Sequence, residues 1–198
     1  ASAKQGQIVD LGALHAGLTE DVLYGYDVLP SAIHLTASTL ALKAPDVSFT
    51  KMNLFSLPLG GPHHRLGSLE FLESDQVTVV TDLFGAMSVG QQVTREAAPN
   101  ILSASLPQLD LCVMNPPFTR SVGGNLLFGS VPEPERQQMQ KKLQKLVARP
   151  NVYANITAGL GSVFVATADC HIKVGGRIAL VLPKTLLSGV AWGETRQL

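Results

Sequence analysis

The residues of this 198-residue chain that are best suited to chemistry form one tetrapeptide, Asn115-Pro116-Pro117-Phe118, which directly follows the apolar run 109–114. Two prolines fix the backbone and have no N–H to donate, so the backbone carbonyls and the Asn115 side chain are left as rigid acceptors. Two acceptors beside the Phe118 ring suit an exocyclic amino group on a planar base, which donates two hydrogen bonds and stacks. An ordinary turn at a strand end is the alternative.

A second acidic position, Asp27, ends the short apolar and aromatic segment 22–26. A carboxylate at the carboxyl end of a parallel strand can accept both hydroxyl groups of a ribose, as acids do in nucleotide-binding folds. The alternative is a charge that favours the N-terminus of the next helix. Pro30 and Ser31 are predicted to open that helix, with Ser31 as its cap. These residues alone favour neither role for Asp27.

Both segments need elements that bring strand ends to a common edge. Apolar spacing predicts helices over 8–18, 30–45, 132–149 and 154–173. Strands are predicted over 22–26, 47–52, 76–82, 109–114 and 177–183, a loop over 57–67, and no definite element over 91–102. Apolar strands that alternate with helices indicate a parallel sheet covered on both faces. The sequence therefore predicts one α/β domain.

Composition narrows the function classes. Charged residues make up 15% of the chain and the net charge is zero, whereas an average domain is about 25% charged. This balance argues against disorder and against a uniformly basic nucleic-acid binder. The sequence shows no membrane span and no signal peptide over 1–5. Cys112 and Cys170 are interpreted as reduced core thiols of a cytoplasmic protein, and no Cys/His spacing supports zinc.

The tetrapeptide Asn115-Pro116-Pro117-Phe118 resembles the Asn/Asp-Pro-Pro-aromatic motif of the S-adenosylmethionine-dependent amino-methyltransferases, most often the N6-adenine DNA methylases. Segment 24–32 resembles the motif whose acid binds the cofactor ribose, and segment 175–183 resembles the strand after the catalytic loop. Their order is that of the restriction-modification type with cofactor motifs first. The resemblance implies a Rossmann-like class I methyltransferase sheet, mostly parallel, with helices on both faces.

The resemblance also implies roles for single residues. Asn115 Oδ1 and the Pro116 carbonyl would accept both N–H groups of a flipped adenine in duplex DNA, with Pro117 fixing the loop and Phe118 stacking on the base. S-adenosyl-L-methionine is the implied cofactor, bound through Asp27 and Val28, and no metal is expected. Ser68 stands where the family often has an acid beside the cofactor adenine; a plain loop is the alternative there.

Two departures from the family pattern stand out. The glycine-rich cofactor loop is not visible; segment 10–17 imitates it, but Leu14 replaces a second glycine, and the spacing favours the helix that follows such a loop. The chain also ends soon after Trp192, before the family's last strands. We therefore expect a fragment of a larger methylase with a separate target-recognition domain, poor at binding cofactor alone. Either 7–10 is a residual strand, or the fragment pairs with another chain as a dimer.

Other readings of the sequence remain open. The acceptor is alternatively an RNA adenine, a protein glutamine or cytosine N4, although cytosine enzymes more often carry Ser at the place of Asn115. A non-catalytic recognition or scaffold domain is the competing class. Weaker candidates are set against structural roles: His63-His64 for metal, the basic face 140–149, Arg120 and Asn125 for DNA, and Trp192 for a substrate loop.

Overall fold

A computed structural model describes the protein over residues 10–81, 100–119 and 126–197. Its backbone contacts divide the chain into two compact units. The first unit comprises Ala1–Leu57 and Thr78–Ala104, and the second comprises Pro58–Val77 and Ser105–Leu198. The described strands form two-stranded pairs, parallel and antiparallel. The architecture is therefore mixed α/β, as the sequence predicts.

The first unit begins with the helix that the apolar spacing predicts. Helix α1 spans Leu11–Gly17 and continues as a π-helix over Leu18–Val22. Asp10 caps it, because its Oδ1 accepts a hydrogen bond of 3.1 Å from the Ala13 N–H. Segment 10–17 therefore forms a capped helix rather than a glycine loop, while residues 8 and 9 lie outside the described ones.

A strand–helix–strand unit follows. It consists of β1 (Tyr24–Asp27), α2 (Pro30–Leu42) and β2 (Asn53–Ser56). The two strands pair in parallel, with Asp27 opposite Ser56. Their core is formed by Ile33, Ala37, Met52 and Leu54. A helix that joins two parallel neighbours and packs on them is the βαβ arrangement.

Two local predictions in this unit are wrong. The second strand begins at Asn53 instead of running over 47–52. Glu20 explains the shift: its Oε1 accepts hydrogen bonds from Thr50 N and Oγ1 at 2.6 and 3.0 Å, and its backbone carbonyl accepts one of 2.8 Å from the Asn53 amide. Ser31 does not cap α2, because the N-cap residue is Leu29 and no side chain caps there.

The second unit contains most of the remaining elements. A short antiparallel hairpin, β3 (Leu59–Gly60) with β4 (Arg65–Leu66), lies within the segment predicted as loop, and a 3-10 helix over Gly67–Leu72 follows. Strands β5 (Gln76–Thr81) and β6 (Asn100–Ser105) pair with each other and lie mainly in the first unit. The later elements are β7 (Leu109–Met114), α3 (Glu133–Val147), α4 (Leu160–His171) and β8 (Ile172–Leu180). Further 3-10 turns span Ile156–Ala158, Lys184–Leu186, Val190–Trp192 and Thr195–Gln197.

The core of the second unit lies between α3 and α4. Met139, Leu143 and Leu146 form the buried stripe of α3, at spacings of four and three. Val163 and Ala166 of α4 belong to the same cluster. The predicted helix over 132–149 is therefore confirmed to within two residues at each end, and its few apolar positions are the ones that it buries.

Strands β7 and β8 form a parallel pair, with Cys112 opposite Ile178 and Met114 opposite Leu180. The prediction that β7 is buried on both faces is wrong. Leu111 is 58% exposed and Val113 72%, and Val181, just after β8, is 58% exposed. Side chains alternate across a strand, so one face of this pair is packed and the other is open to solvent.

Candidate functional site

The Asn-Pro-Pro-Phe tetrapeptide lies at the carboxyl end of a parallel strand. The pairing of β7 with β8 continues to its last residue, because the Met114 carbonyl accepts a 3.1 Å hydrogen bond from the Val181 N–H. Asn115 directly follows and is exposed, whereas Pro116 is buried. Phe118 is 49% exposed. The structure thus places an exposed amide and a half-exposed ring one turn apart, after a strand end that the prolines terminate.

The far end of this loop is held by Thr119. Its N–H donates to the Pro117 carbonyl at 3.0 Å. Its Oγ1 accepts a 3.1 Å hydrogen bond from the Leu160 N–H, at the start of α4. Gly159, with φ of +95°, passes so close that a β-carbon there would overlap the Thr119 carbonyl oxygen. The catalytic candidate loop is therefore fixed to the N-terminus of a buried helix.

Thr119 and Gly159 are positioning residues that the sequence argument missed. A glycine directly before the apolar run of α4 was the available signal, since glycine is the residue that adopts positive φ without strain. The predicted helix over 154–173 instead begins at Leu160, because Gly159 has a conformation outside the helical region. Trp192 is 3% exposed and its ring faces Gly161 of α4. Its predicted structural role, packing on helical residues, is confirmed.

Asp27 lies at the end of β1, in the first unit. Its backbone carbonyl accepts a 2.8 Å hydrogen bond from the Leu57 N–H, and its Oδ1 accepts one of 2.8 Å from the Leu29 N–H. The side chain is half-buried, and Val28 beside it is 37% exposed. The carboxylate is thus oriented by its own turn while it remains partly open to solvent.

An aromatic pair supports the strand that carries Asp27. Tyr26 and Phe55 stand opposite each other on β1 and β2, with ring centroids 5.6 Å apart and nearly parallel planes. Burial, assisted by the neighbouring Tyr24, raises the pKa of Tyr26 well above its usual range. Tyr26 is therefore a neutral packing group at physiological pH and not an ionisable one.

Ser68 lies in the second unit, in the 3-10 helix over Gly67–Leu72, and is half-buried. The plain loop considered for it is wrong. Glu70 anchors this helix: it forms ion pairs with Arg65 at 3.0 Å and with Lys142 at 2.6 Å, and accepts a 3.2 Å hydrogen bond from the Leu66 N–H. Ser68 and Asp27 belong to different compact units, so the cofactor role of Ser68 stays a prediction.

The remaining candidates are less specific. His63 and His64 lie in the β3–β4 hairpin, and within the described ranges no group of three His, Cys, Asp or Glu residues is arranged to hold a metal ion. Arg120 and Asn125 lie outside the described residues. None of the described helices has the length and apolar character that a membrane span needs.

The two cysteines differ in environment. Both are free thiols. Cys112 is half-buried, whereas Cys170 is exposed, so the prediction of a core thiol is wrong for Cys170. Burial raises the pKa of both thiols, and Asp169 raises that of Cys170 further. The thiolate, which is the nucleophilic form, is therefore disfavoured at both positions.

Comparison with protein-family models, curated proteins and solved structures finds no match to this chain. The functional argument therefore depends on residue chemistry. The described site offers a rigid set of acceptors beside a ring at the end of β7, and a partly open carboxylate at the end of β1. Both positions follow parallel strands, where ligands bind in open α/β sheets.

Proposed function

We propose that the chain transfers a methyl group from S-adenosylmethionine to the N6 amino group of adenine in DNA, as part of a Rossmann-like class I methyltransferase. The observation that carries the proposal is the exposed Asn115, held between a strand end and two prolines with a half-exposed Phe118 beside it. The parallel arrangement of β1 with β2 and of β7 with β8 supports the fold assignment.

The amino group of adenine is a poor nucleophile because its lone pair is delocalised into the ring. Asn115 Oδ1 and the Pro116 carbonyl accept its two N–H groups, which favours a tetrahedral nitrogen and localises the lone pair. These hydrogen bonds strengthen as positive charge develops on N6, so they stabilise the transition state more than the ground state. Phe118 stacks on the flipped base and holds it in orientation.

Asp27 and Val28 hold the cofactor in this proposal. The half-buried Asp27 carboxylate has one oxygen oriented by the Leu29 N–H, and a carboxylate so placed suits the two hydroxyl groups of a ribose. Val28 offers exposed apolar surface beside it. When bound, S-adenosylmethionine supplies an electrophilic methyl group on its sulfonium. The role of Ser68 beside the cofactor adenine is supported by the family resemblance alone.

The partner in this proposal is duplex DNA, with one adenine flipped out of the stack. As in the family that the chain resembles, recognition of the target sequence is assigned to a separate domain of a longer polypeptide. A cytoplasmic location follows from a DNA substrate. A dimer of this chain remains the alternative to a larger single polypeptide.

The acceptor role of Asn115 is tested by two substitutions of nearly equal size. Asn115→Asp keeps an acceptor oxygen, whereas Asn115→Leu removes it. We expect Asn115→Leu to lower the methylation rate by about 100-fold or more, because it removes a transition-state hydrogen bond, and Asn115→Asp to retain a measurable rate. The complete gene is expressed in a host whose DNA lacks N6-methyladenine, and methylated nucleosides are measured by mass spectrometry.

The control is protein stability, because a surface substitution at exposed Asn115 should change the free energy of unfolding by no more than about 0.5 kcal/mol. Full methylation by Asn115→Leu would show that the catalytic assignment is wrong. Methyl groups found on cytosine, on RNA or on protein glutamine, with none on DNA adenine, would replace the substrate proposed here.

A further inference from the structure

The second unit carries a basic groove between the β3–β4 hairpin and α3. It is open to solvent, has a volume of about 560 Å³, and is lined among others by His63, His64, Gln138, Lys141, Lys142 and Lys145. No carboxylate is among the described residues that line it. The groove is separate from the tetrapeptide loop and from Asp27, so none of the steps above uses it.

The charge of this groove is only partly neutralised. Lys142 is paired with the buried Glu70 at 2.6 Å. Arg149, beyond the end of α3, is paired with Glu73 at 2.9 Å. Lys141 and Lys145 are exposed, and no ion pair engages either of them within the described part of the chain. Two full positive charges therefore face solvent from one wall of the groove.

Glu70 also ties the two walls together. It is 7% exposed, and it forms ion pairs with Arg65 of β4 and with Lys142 of α3 at once. Because the hairpin and the helix share this buried carboxylate, the groove is formed before any ligand binds. A preformed site avoids the cost of ordering its walls on binding.

We propose that the basic groove binds the phosphodiester backbone of the DNA substrate; the choice of DNA rests on the proposed function. Lys141 and Lys145 are one helical turn apart, which places their side chains about 6 Å from each other. A DNA strand presents one phosphate per roughly 3.4 Å of helix axis, so both lysines reach neighbouring phosphates. Gln138 and His63 supply uncharged donors, and such contacts position the duplex without reading its sequence.

The test is the salt dependence of DNA binding. Fluorescence anisotropy of a labelled 20-base-pair duplex is measured from 50 to 200 mM salt for the wild type and for the double variant Lys141→Gln, Lys145→Gln. The slope of log affinity against log salt should become shallower by about 1.8, because each lost phosphate contact removes about 0.9. At 50 mM salt the variant should bind about tenfold more weakly.

The matched control is Lys43→Gln with Lys184→Gln, two exposed lysines outside the groove. It lowers the net charge by the same amount, and its slope should stay within about 0.5 of the wild type. An unchanged slope for the groove variant, or an equal change in the control, overturns the proposal. Competition by polyglutamate as effective per charge as that by unlabelled duplex also overturns it, because the groove would then favour acidic protein equally.

This outcome is distinguishable from failure of the proposed reaction. A protein that loses the predicted slope with the two lysines, yet transfers no methyl group, supports the groove and contradicts the methyltransferase. A protein that methylates DNA and keeps its slope without the lysines contradicts the groove alone. Asn115→Leu should leave the slope unchanged, since Asn115 carries no charge.

Discussion

At the scale of single residues, Thr119 and Gly159 determine how the loop after Asn115 is held. Thr119 links two parts of the chain that are 41 positions apart, through its 3.1 Å hydrogen bond with the Leu160 N–H. Sequence spacing predicts the exposed amide, because two prolines end the strand there. It does not predict the anchor, because nothing local in Thr119 marks a partner so distant along the chain.

Gly159→Ala tests that anchor. Gly159 has φ of +95°, and a β-carbon there would overlap the Thr119 carbonyl oxygen. Gly61→Ala is the matched control, because Gly61 has φ of +75° but no atom within 4 Å of the added β-carbon. Backbone strain alone costs about 1–2 kcal/mol, so Gly61→Ala should lose that much stability. Gly159→Ala should lose about 2 kcal/mol more, as measured by urea denaturation.

Equal losses in the two glycine variants would contradict the close approach of Gly159 to Thr119. Methylation by Gly159→Ala should also fall at temperatures where the protein remains folded, because displacement of Thr119 moves the Pro117 carbonyl to which it is bonded. Gly61→Ala should methylate as the wild type does under the same conditions.

At the scale of elements, helices are predicted better than strands. The apolar stripe of α3 marks that helix, and Pro30 marks the start of α2. The start of β2 is missed because Glu20, far away in sequence, binds Thr50 and Asn53 and fixes where pairing with β1 begins. Helix periodicity is local information, whereas strand limits depend on partners elsewhere in the chain.

The element that holds the hairpin against α3 is tested by Glu70→Gln. Glu70 is nearly buried and serves Arg65, Lys142 and the Leu66 N–H together. Its neutral replacement leaves two cations without their carboxylate, which we expect to cost about 2–3 kcal/mol, less than a fully buried pair because both cations are partly exposed. Glu73→Gln removes the exposed pair with Arg149 and should cost about 0–1 kcal/mol.

Thermal or urea unfolding measures both losses in the same buffer. High salt should reduce the small effect of Glu73→Gln and change that of Glu70→Gln much less, because buried pairs are screened weakly. A cost for Glu70→Gln as small as that for Glu73→Gln would show that Glu70 does not join the hairpin to α3.

At the scale of the whole molecule, low charge is accompanied by exposed apolar side chains. The apolar strand β7 predicts cover on two faces, yet Leu111 and Val113 are mostly exposed. Composition reports how apolar a strand is, but the cover depends on which elements pack against it, and one-sequence patterns do not contain that information. The α/β class is therefore predictable from the sequence, and the extent of the sheet is not.

The two halves of the proposed site lie in different compact units, Asp27 in the first and Asn115 in the second. Cofactor and base binding should therefore respond to separate substitutions. Asp27→Ala removes both the charged acceptor and the turn hydrogen bond to Leu29, whereas Asp27→Asn keeps that turn and one acceptor oxygen. Asp46→Ala, at an exposed acid of the same unit, is the control.

Calorimetric titration of S-adenosylmethionine into the product of the complete gene should show about 10- to 100-fold weaker binding for Asp27→Ala, since hydrogen bonds to a charged group contribute about 1.5–3 kcal/mol. Asp27→Asn should give an intermediate loss, and Asp46→Ala none. Affinity for duplex DNA should stay within about twofold in all three, because no phosphate contact is lost. Unchanged cofactor affinity in Asp27→Ala would remove Asp27 from the site, while a parallel loss of DNA affinity would show that the two units do not bind their ligands independently.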